Sequence, residues 1–191
     1  MQSTSRSWSG WNDQTIRVQQ VQGIEKLARQ GAASAAIGQL EIVHRCQGLF
    51  QPRAIAAVWH WLPVRYVQDR DGDHWQPVEE TLRLHSGDCE DWSILLAAVL
   101  KRLGIDARIG IMPGHAAVFV PVSYVQAFAV LLGQIDARAF LPANWPLLNY
   151  AGGRWLAIES TVAPENRGLP GEHLTLIAPA AQQGTLIIAA P

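Results

Sequence analysis

Cys89 has the clearest chemical potential in the chain, because it stands where a long apolar helix begins, in GDCEDWSILLAAVLKRLGI (87–105). Asp88 before it suits the N-cap position, and Asp91 occupies the position that completes a capping box. These acids can therefore bind free backbone N–H groups of the first turn rather than face the sulfur. Cys89 then takes the first helical position, where the helix dipole stabilises an anion by roughly 0.3–1 kcal/mol. Such a position lowers the pKa of a thiol, so the sequence predicts a reactive cysteine.

A cysteine nucleophile needs a base, and His115 is the best placed of the six histidines. It follows an MPG turn and begins a strand that we expect to lie beside the strand after the cysteine helix. Glu159 suits the acceptor that orients the imidazole, because it alternates with Ala157 and Trp155 along a predicted strand. A carboxylate on the apolar face of a strand requires a partner, and His115 is the candidate. The first-turn N–H groups at Cys89 also point to where an oxyanion would form.

The spacing of apolar residues predicts the elements that must position these side chains. Helical spacing predicts helices at 15–31, 32–46, 53–62, 78–84 and 89–103, the last of them buried nearly all round. The first two form a hairpin with its turn at RQGAAS. After Gly104 the period changes to two, which predicts strands at 105–112, 116–122, 154–161, 173–179 and 184–191. The region 123–150 is irregular, with a short helix at 125–132.

Helices first and strands later indicate an α+β fold. We expect N-terminal helices and a central cysteine-bearing helix to pack on an antiparallel β-sheet. The chain then divides into a disordered or loosely attached arm (1–14), a helical hairpin (15–50) and a catalytic domain (51–191). The hairpin and the catalytic domain are expected to pack as one unit.

Composition excludes several classes of function. The 191 residues are 49% apolar and 16% charged, with a net charge of −1. No cluster of Lys and Arg supplies a surface for nucleic acid. Cys46 and Cys89 are far apart and no C-x-x-C occurs, which disfavours a zinc site or a redox pair and leaves one disulfide open. The polar N-terminus is unlike a signal peptide, and no apolar run reaches about 18 residues, so we expect a cytoplasmic protein without a membrane span.

The segments GDCEDWSILLAAVLKRLGIDARI, HAAVFV and WLAIEST together resemble the transglutaminase-like superfamily of cysteine enzymes, which has a papain-like core. The resemblance covers about 53–161 and implies that Cys89 is the nucleophile, His115 the base and Glu159 the orienting acid. It implies a protein or peptide substrate and requires no organic cofactor or metal. Two departures stand out: the third residue is Glu where the family usually has Asp, and AAVFV replaces an aromatic-rich strand. The stretch IEKLARQGAASAAIGQLEIVHRC resembles members found in phages and prophages, which would make the protein virion-associated.

This resemblance implies acyl transfer at an amide bond, with hydrolysis by a cysteine protease, peptidase or deamidase as the first choice. An amine acceptor would instead make the protein a cross-linker, and deglycosylation of the peptide N-glycanase kind uses the same triad. A non-catalytic alternative is a peptide-binding or phage-assembly module on the same fold. For Cys89 itself, the alternative is a small buried residue at a helix end. The sequence indicates neither the substrate nor the oligomeric state.

An acidic stretch, DRDGDHWQPVEE, is a candidate calcium-binding loop. Asp69, Asp71, Asp73 and Glu80 occupy positions 1, 3, 5 and 12 of an EF-hand-like loop, but position 6 is His74 where that loop needs Gly. We therefore favour a solvated acidic turn. The apolar C-terminal segment, TLIAPAAQQGTLIIAAP, either completes the sheet or forms an exposed edge.

Overall fold

The structure is a computed structural model. It describes residues 14–49, 51–63, 65–69, 74–121, 148–150, 153–161 and 186–190. The helices, in chain order, are α1 (Gln14–Ala33), α2 (Ala35–Gly38), α3 (Glu41–Cys46), α4 (Gln51–Trp61), α5 (Val78–Leu84) and α6 (Cys89–Arg102). The strands are β1 (Arg108–Met112), β2 (His115–Pro121), β3 (Leu148–Tyr150), β4 (Gly153–Ile158) and β5 (Ile187–Ile188). No helix in these ranges is both long enough and apolar enough to cross a membrane.

The α6 helix is the centre of the molecule. Every residue from Cys89 to Leu100 is buried, as the nearly continuous apolar sequence predicts. The helix ends at Arg102, and Gly104, two residues later, has a φ of 77°, a left-handed conformation that glycine adopts without strain. Because α6 is enclosed on all sides, the position of its first residue is set by the whole core rather than by one neighbour.

The five described strands form one antiparallel sheet against α6, with the strand order β3-β4-β2-β1-β5. The β1–β2 hairpin pairs Met112 with His115, so the histidine stands directly after a turn closed by Gly114 at φ 70°. On the other side of β2, the register pairs Val118 with Ile158 at the last residue of β4. The central strand therefore begins, and its neighbour β4 ends, at the same edge of the sheet.

The N-terminal helices contribute to the same core as α6 and the sheet. Glu25, buried on α1, accepts a hydrogen bond from the backbone N–H of Ile109 at 3.1 Å and pairs with Lys101 at 2.6 Å. One carboxylate thus joins α1 to β1 and to the last turn of α6. A Cβ on Gly31 would lie 2.5 Å from a methyl of Val78, so the glycine permits close packing of α1 on α5.

This architecture confirms the predicted α+β fold with helices on an antiparallel sheet. The first helix passes through Gly31, which was predicted to end it, because that glycine serves packing rather than termination. The second predicted helix is divided into α2 and α3. Ser34 caps α2 by accepting a hydrogen bond from Ile37, and the chain is extended at Leu40 before α3 begins. The short strand β3 falls in the stretch expected to be irregular.

Other predictions fall on residues that are not described. They include the arm at 1–14, apart from Gln14 at the start of α1, the helix at 125–132 and the strand at 173–179. The last predicted strand, 184–191, is represented by β5, which pairs with β1 and completes that edge of the sheet. The proposed domain boundaries stay predictions.

Candidate active site

The start of α6 is held by the predicted capping box. The Asp88 carboxylate accepts a hydrogen bond from the backbone N–H of Glu90 at 3.3 Å, and Asp91 accepts one from the backbone N–H of Asp88 at 3.1 Å. Asp91 also accepts from the backbone N–H of Gln76 at 2.8 Å. A Cβ on Gly87 would lie 2.6 Å from the Asp91 side chain, so only glycine fits before the cap. Both prediction and structure thus assign Asp88 and Asp91 to building the helix end.

The Cys89 sulfur faces the side chain of Glu90, an acid to which the sequence assigned no role. Cys89 is 2% exposed, and its Sγ donates a hydrogen bond to Oε2 of Glu90 at 2.8 Å. Glu90 is itself 1% exposed, and its Oε1 has no hydrogen-bond partner. The backbone N–H of Ala116, the residue after His115, approaches the sulfur from the sheet. The cysteine is therefore located between Glu90 and the first residues of β2.

His115 and Glu159 are in direct contact. The Nε2 atom of the imidazole and Oε2 of the carboxylate are 2.5 Å apart, with the two side chains 13% and 8% exposed. The other carboxylate oxygen, Oε1, accepts from Thr161 twice, from its backbone N–H at 2.9 Å and its hydroxyl at 2.6 Å. Because Nε2 is used by the carboxylate, Nδ1 is the ring nitrogen left for another partner.

Two buried hydrogen bonds fix the segment that carries Glu159. The indole Nε1 of Trp59 on α4 donates to the Glu159 carbonyl oxygen at 2.8 Å. One residue further, the hydroxyls of Ser160 and Ser93 are 2.9 Å apart, which joins this segment to α6 one turn after the cysteine. The carboxylate is thus positioned by α4 and α6, and not only by the end of β4.

The electrostatic environment favours an ion pair at one end of the site and a neutral thiol at the other. Burial alone would lower the pKa of His115, but the hydrogen bond and charge of Glu159, with the charge of Glu90, raise it. Burial alone would raise the pKa of Glu159, but His115 and Thr161 lower it. Burial, then the charge and hydrogen bond of Glu90, raise the pKa of the Cys89 thiol, and the charge of Asp88 adds to them. The predicted lowering of the thiol pKa at the helix start is therefore wrong for this arrangement.

The reason for that error lies in the size of the competing effects. A helix dipole stabilises an anion by about 1 kcal/mol. A buried carboxylate at hydrogen-bond distance, together with loss of solvent, opposes the thiolate more strongly. The sequence signal that could have identified Glu90 is its place in the first turn of a helix that is apolar on every side, where an acid has no route to solvent.

A family model described as the transglutaminase-like superfamily matches residues 41–158, more than half of the chain. The chain belongs to the transglutaminase-like superfamily. The match includes Cys89 and His115 and ends one residue before Glu159. Membership is compatible with cysteine-based catalysis, and nothing in the match points to a phage. Comparison of this transglutaminase-like chain with curated proteins and with solved structures gave no significant match.

Other candidate residues lie apart from this arrangement. Cys46 is buried in the core as a free thiol, and His85 is exposed at the end of α5. Trp92 is buried and donates to the Gly87 carbonyl, which assigns it to packing at the helix start. Trp61 is partly buried against the core. Of the proposed calcium ligands, Asp71 and Asp73 lie outside the described residues.

The two remaining proposed calcium ligands contact His74. Asp69 accepts from its backbone N–H at 2.7 Å, and Glu80 is 3.2 Å from its ring. Within the described part of the chain, one further set of potential metal ligands stands close together: Asp88, Cys89 and Glu90 have ligand atoms within 4.8 Å of one another. In this arrangement Asp88 caps the helix and the Cys89 sulfur donates to Glu90.

Proposed function

We propose that this protein is a cysteine acyltransferase that uses Cys89 as nucleophile, His115 as general base and acid, and Glu159 as the residue that orients the imidazole. The observation that carries the proposal is the buried contact between His115 and Glu159 at the edge of the sheet where β2 meets the start of α6. An imidazole held through Nε2 by a carboxylate presents Nδ1 to a neighbouring nucleophile, which is the arrangement that a triad requires.

The reaction follows from these roles. His115 takes the proton of the Cys89 thiol, and the sulfur attacks an amide carbonyl to form a C–S bond. The oxyanion that develops lies near the backbone N–H of Cys89, since the Asp88 carboxylate accepts those of Glu90 and Asp91. His115 then gives the proton to the leaving amine, the C–N bond breaks, and a thioester remains. Water or a second amine resolves the thioester and regenerates the thiol.

Hydrolysis of a peptide or isopeptide bond is the outcome we propose first, with an amine acceptor as the cross-linking alternative. The chemistry up to the thioester is shared, so the resolving nucleophile has to be identified from products. A library of peptides with a fluorogenic amide leaving group, incubated with and without a primary amine, would do this. Mass spectrometry distinguishes a free carboxyl product from an amide adduct.

Cys89→Ala should abolish turnover and acyl-enzyme formation, and His115→Asn should reduce both strongly. Cys46→Ala is the matched control, since it removes the other buried thiol without touching the site. We expect Cys89→Ala to lower the free energy of unfolding by about 1–3 kcal/mol, because the buried Glu90 carboxylate loses the hydrogen bond that the thiol donates to it. A large loss of stability, with no thiol-dependent activity in the wild type, would favour a structural cysteine instead.

A second candidate is a peptide-binding module that has the same fold and no catalysis. The observation in its favour is the Cys89 thiol itself, which is buried and hydrogen bonded to Glu90. Turnover of a fluorogenic amide separates the two functions, because catalysis passes through a thioester on Cys89 whereas a binding module leaves the amide intact. Involvement in phage assembly stays a prediction from the sequence alone.

A further inference from the structure

Glu90 is a buried acid to which the proposed reaction gives no role. Its side chain turns back toward the preceding residue, Cys89. The Cys89 thiol donates a hydrogen bond to Oε2 of Glu90, with 2.8 Å between sulfur and oxygen. Oε1 is enclosed without a hydrogen-bond partner. A buried polar atom without a partner costs free energy, so its persistence calls for an explanation beyond helix stability.

The groups that face Glu90 come from two elements. Asp88 and Cys89 belong to the start of α6, and His115 belongs to β2 across the site. Asp88 adds negative charge, and within the described part of the chain no Lys or Arg pairs with Glu90. Removal of the Cys89 proton would therefore place a thiolate and a carboxylate at contact distance, and the backbone N–H of Ala116, which approaches the sulfur, only partly offsets their repulsion.

The direction of the thiol proton also matters. It points to a carboxylate, whereas the proposed reaction needs it to pass to the imidazole. Among the described hydrogen bonds, none joins the Cys89 sulfur to His115, whose Nε2 is engaged by Glu159. The site is thus assembled, but its nucleophile is directed to a different acceptor.

We propose that Glu90 restrains the enzyme: its ionised carboxylate keeps Cys89 protonated and turned from His115, and neutralising that carboxylate releases the sulfur for reaction. Glu90 acts through Cys89 and has no contact with the reacting amide, so it is a positioning residue. This inference rests on the proposed function, since it concerns the reactivity of the proposed nucleophile.

A proton is the simplest group that neutralises Glu90. Burial and the charge of Asp88 raise the pKa of Glu90 to about 7. Its carboxyl therefore changes charge close to neutral pH, whereas an exposed glutamate would stay ionised. As the pH falls through that range the restraint weakens, and the imidazole of His115 becomes protonated and able to stabilise a thiolate.

The test is Glu90→Gln, which keeps the shape of the side chain and removes its charge. The thiolate of Cys89 is followed by its ultraviolet absorbance, as the difference between each protein and its Cys89→Ala counterpart, across the pH range. Absorbance reports the thiolate population and does not depend on access of a reagent to the buried sulfur. We expect the apparent pKa of Cys89 to fall by at least about one unit, and alkylation by iodoacetamide near neutral pH to become about tenfold faster or more.

Glu79→Gln is the matched control, because it removes one negative charge from an exposed position in the first turn of α5. It should leave both measurements unchanged. If Glu90→Gln does not fold, the wild-type titration alone decides: a Cys89 thiolate already present at neutral pH overturns the restraint. An unchanged or raised pKa in folded Glu90→Gln, or slower alkylation, overturns it as well.

The double variant Glu90→Gln, His115→Asn keeps this inference separate from the proposed function. If the restraint and the triad are both correct, the thiolate gained in Glu90→Gln is lost again when the imidazole is removed. If the thiolate gained is independent of His115, the restraint stands and the assigned base is wrong. If neither replacement changes the thiolate, the restraint is wrong.

Discussion

Glu159→Gln is the replacement that most directly examines the geometry of the site. The wild-type carboxylate only accepts hydrogen bonds. Its Oε2 accepts one from His115, and its Oε1 accepts two from Thr161. The amide that replaces it has one oxygen and one NH₂ group. If the oxygen faces His115, the NH₂ group meets the backbone N–H of Thr161. If the NH₂ group faces His115, the imidazole must carry its proton on Nδ1, where the proposed base has to be free.

The size of the effect follows from what is lost in either orientation. A hydrogen bond to a charged group contributes about 1.5–3 kcal/mol, which corresponds to a rate loss of roughly ten- to a hundredfold at 1.36 kcal/mol per factor of ten. The side chains of His115 and Glu159 are only 13% and 8% exposed, so solvent screening reduces the strength of this hydrogen bond little. We therefore expect acyl-enzyme formation by Glu159→Gln to be slower by that factor, measured in single-turnover experiments with a fluorogenic amide.

The same replacement should change how stability depends on pH. The pKa of His115 is raised in the folded protein, so its contribution is complete below its ordinary pKa and is lost as the pH rises through the raised value. The pKa of Glu159 is lowered, so its contribution is complete above its ordinary pKa and is lost as the pH falls through the lowered value. Both contributions are complete between the ordinary pKa of Glu159 and the ordinary pKa of His115. The stability difference between wild type and Glu159→Gln should therefore be largest in that pH range.

Thermal unfolding across the pH range measures that difference, and Glu79→Gln again serves as the control for removal of one charge. Activity within twofold of the wild type, with parallel stability curves, would refute the argument that the imidazole depends on this carboxylate. Glu159→Asp separates the effect of charge from the effect of distance, because the shorter side chain keeps the charge but reaches less far toward His115.

Two further predictions concern the supports of the site. Glu25→Gln should destabilise the protein by about 3 kcal/mol, because it removes the charge that pairs with Lys101 and turns an NH₂ group toward either Lys101 or the backbone N–H of Ile109; denaturant unfolding checks this, and an unchanged midpoint would contradict it. Gly87→Ala should destabilise by about 1–3 kcal/mol and slow acylation, because its Cβ displaces Asp91 from the cap. Ser86→Ala is the neighbouring control, and equal behaviour of the two variants would show that the cap tolerates the methyl group.

The sequence predicts α6 with little error, because several local signals agree there. Its cap at Asp88, its length and its stop at Gly104 are all encoded within the helix and its ends. The division between α2 and α3 was missed although Ser34 is a good N-cap, since the apolar period continues across the break. At Gly31 the opposite error occurs, because a helix end was predicted where the helix continues. The structural role of this glycine depends on Val78, nearly fifty residues away, and not on its neighbours in sequence.

For the site, residue types and strand alternation were enough to propose that His115 and Glu159 meet, and the structure places them in contact. What the sequence does not encode locally is side-chain direction. Glu90 was given no role among the acids at this helix start, but its effect on Cys89 depends on a turn of the side chain toward the sulfur and on complete enclosure. The contacts of Trp59 and Ser93 with the Glu159 segment are likewise visible only in three dimensions.

The bond from Trp59 to the Glu159 carbonyl joins groups 100 positions apart in the chain. Closure of so long a loop is entropically costly, and contacts of this kind form late in folding. During synthesis, the helix with Cys89 and the strand with His115 leave the ribosome well before the segment that supplies the carboxylate. A nascent chain therefore carries the sulfur and the imidazole without the carboxylate that contacts the imidazole, so the proposed chemistry has to wait until translation has passed the end of β4.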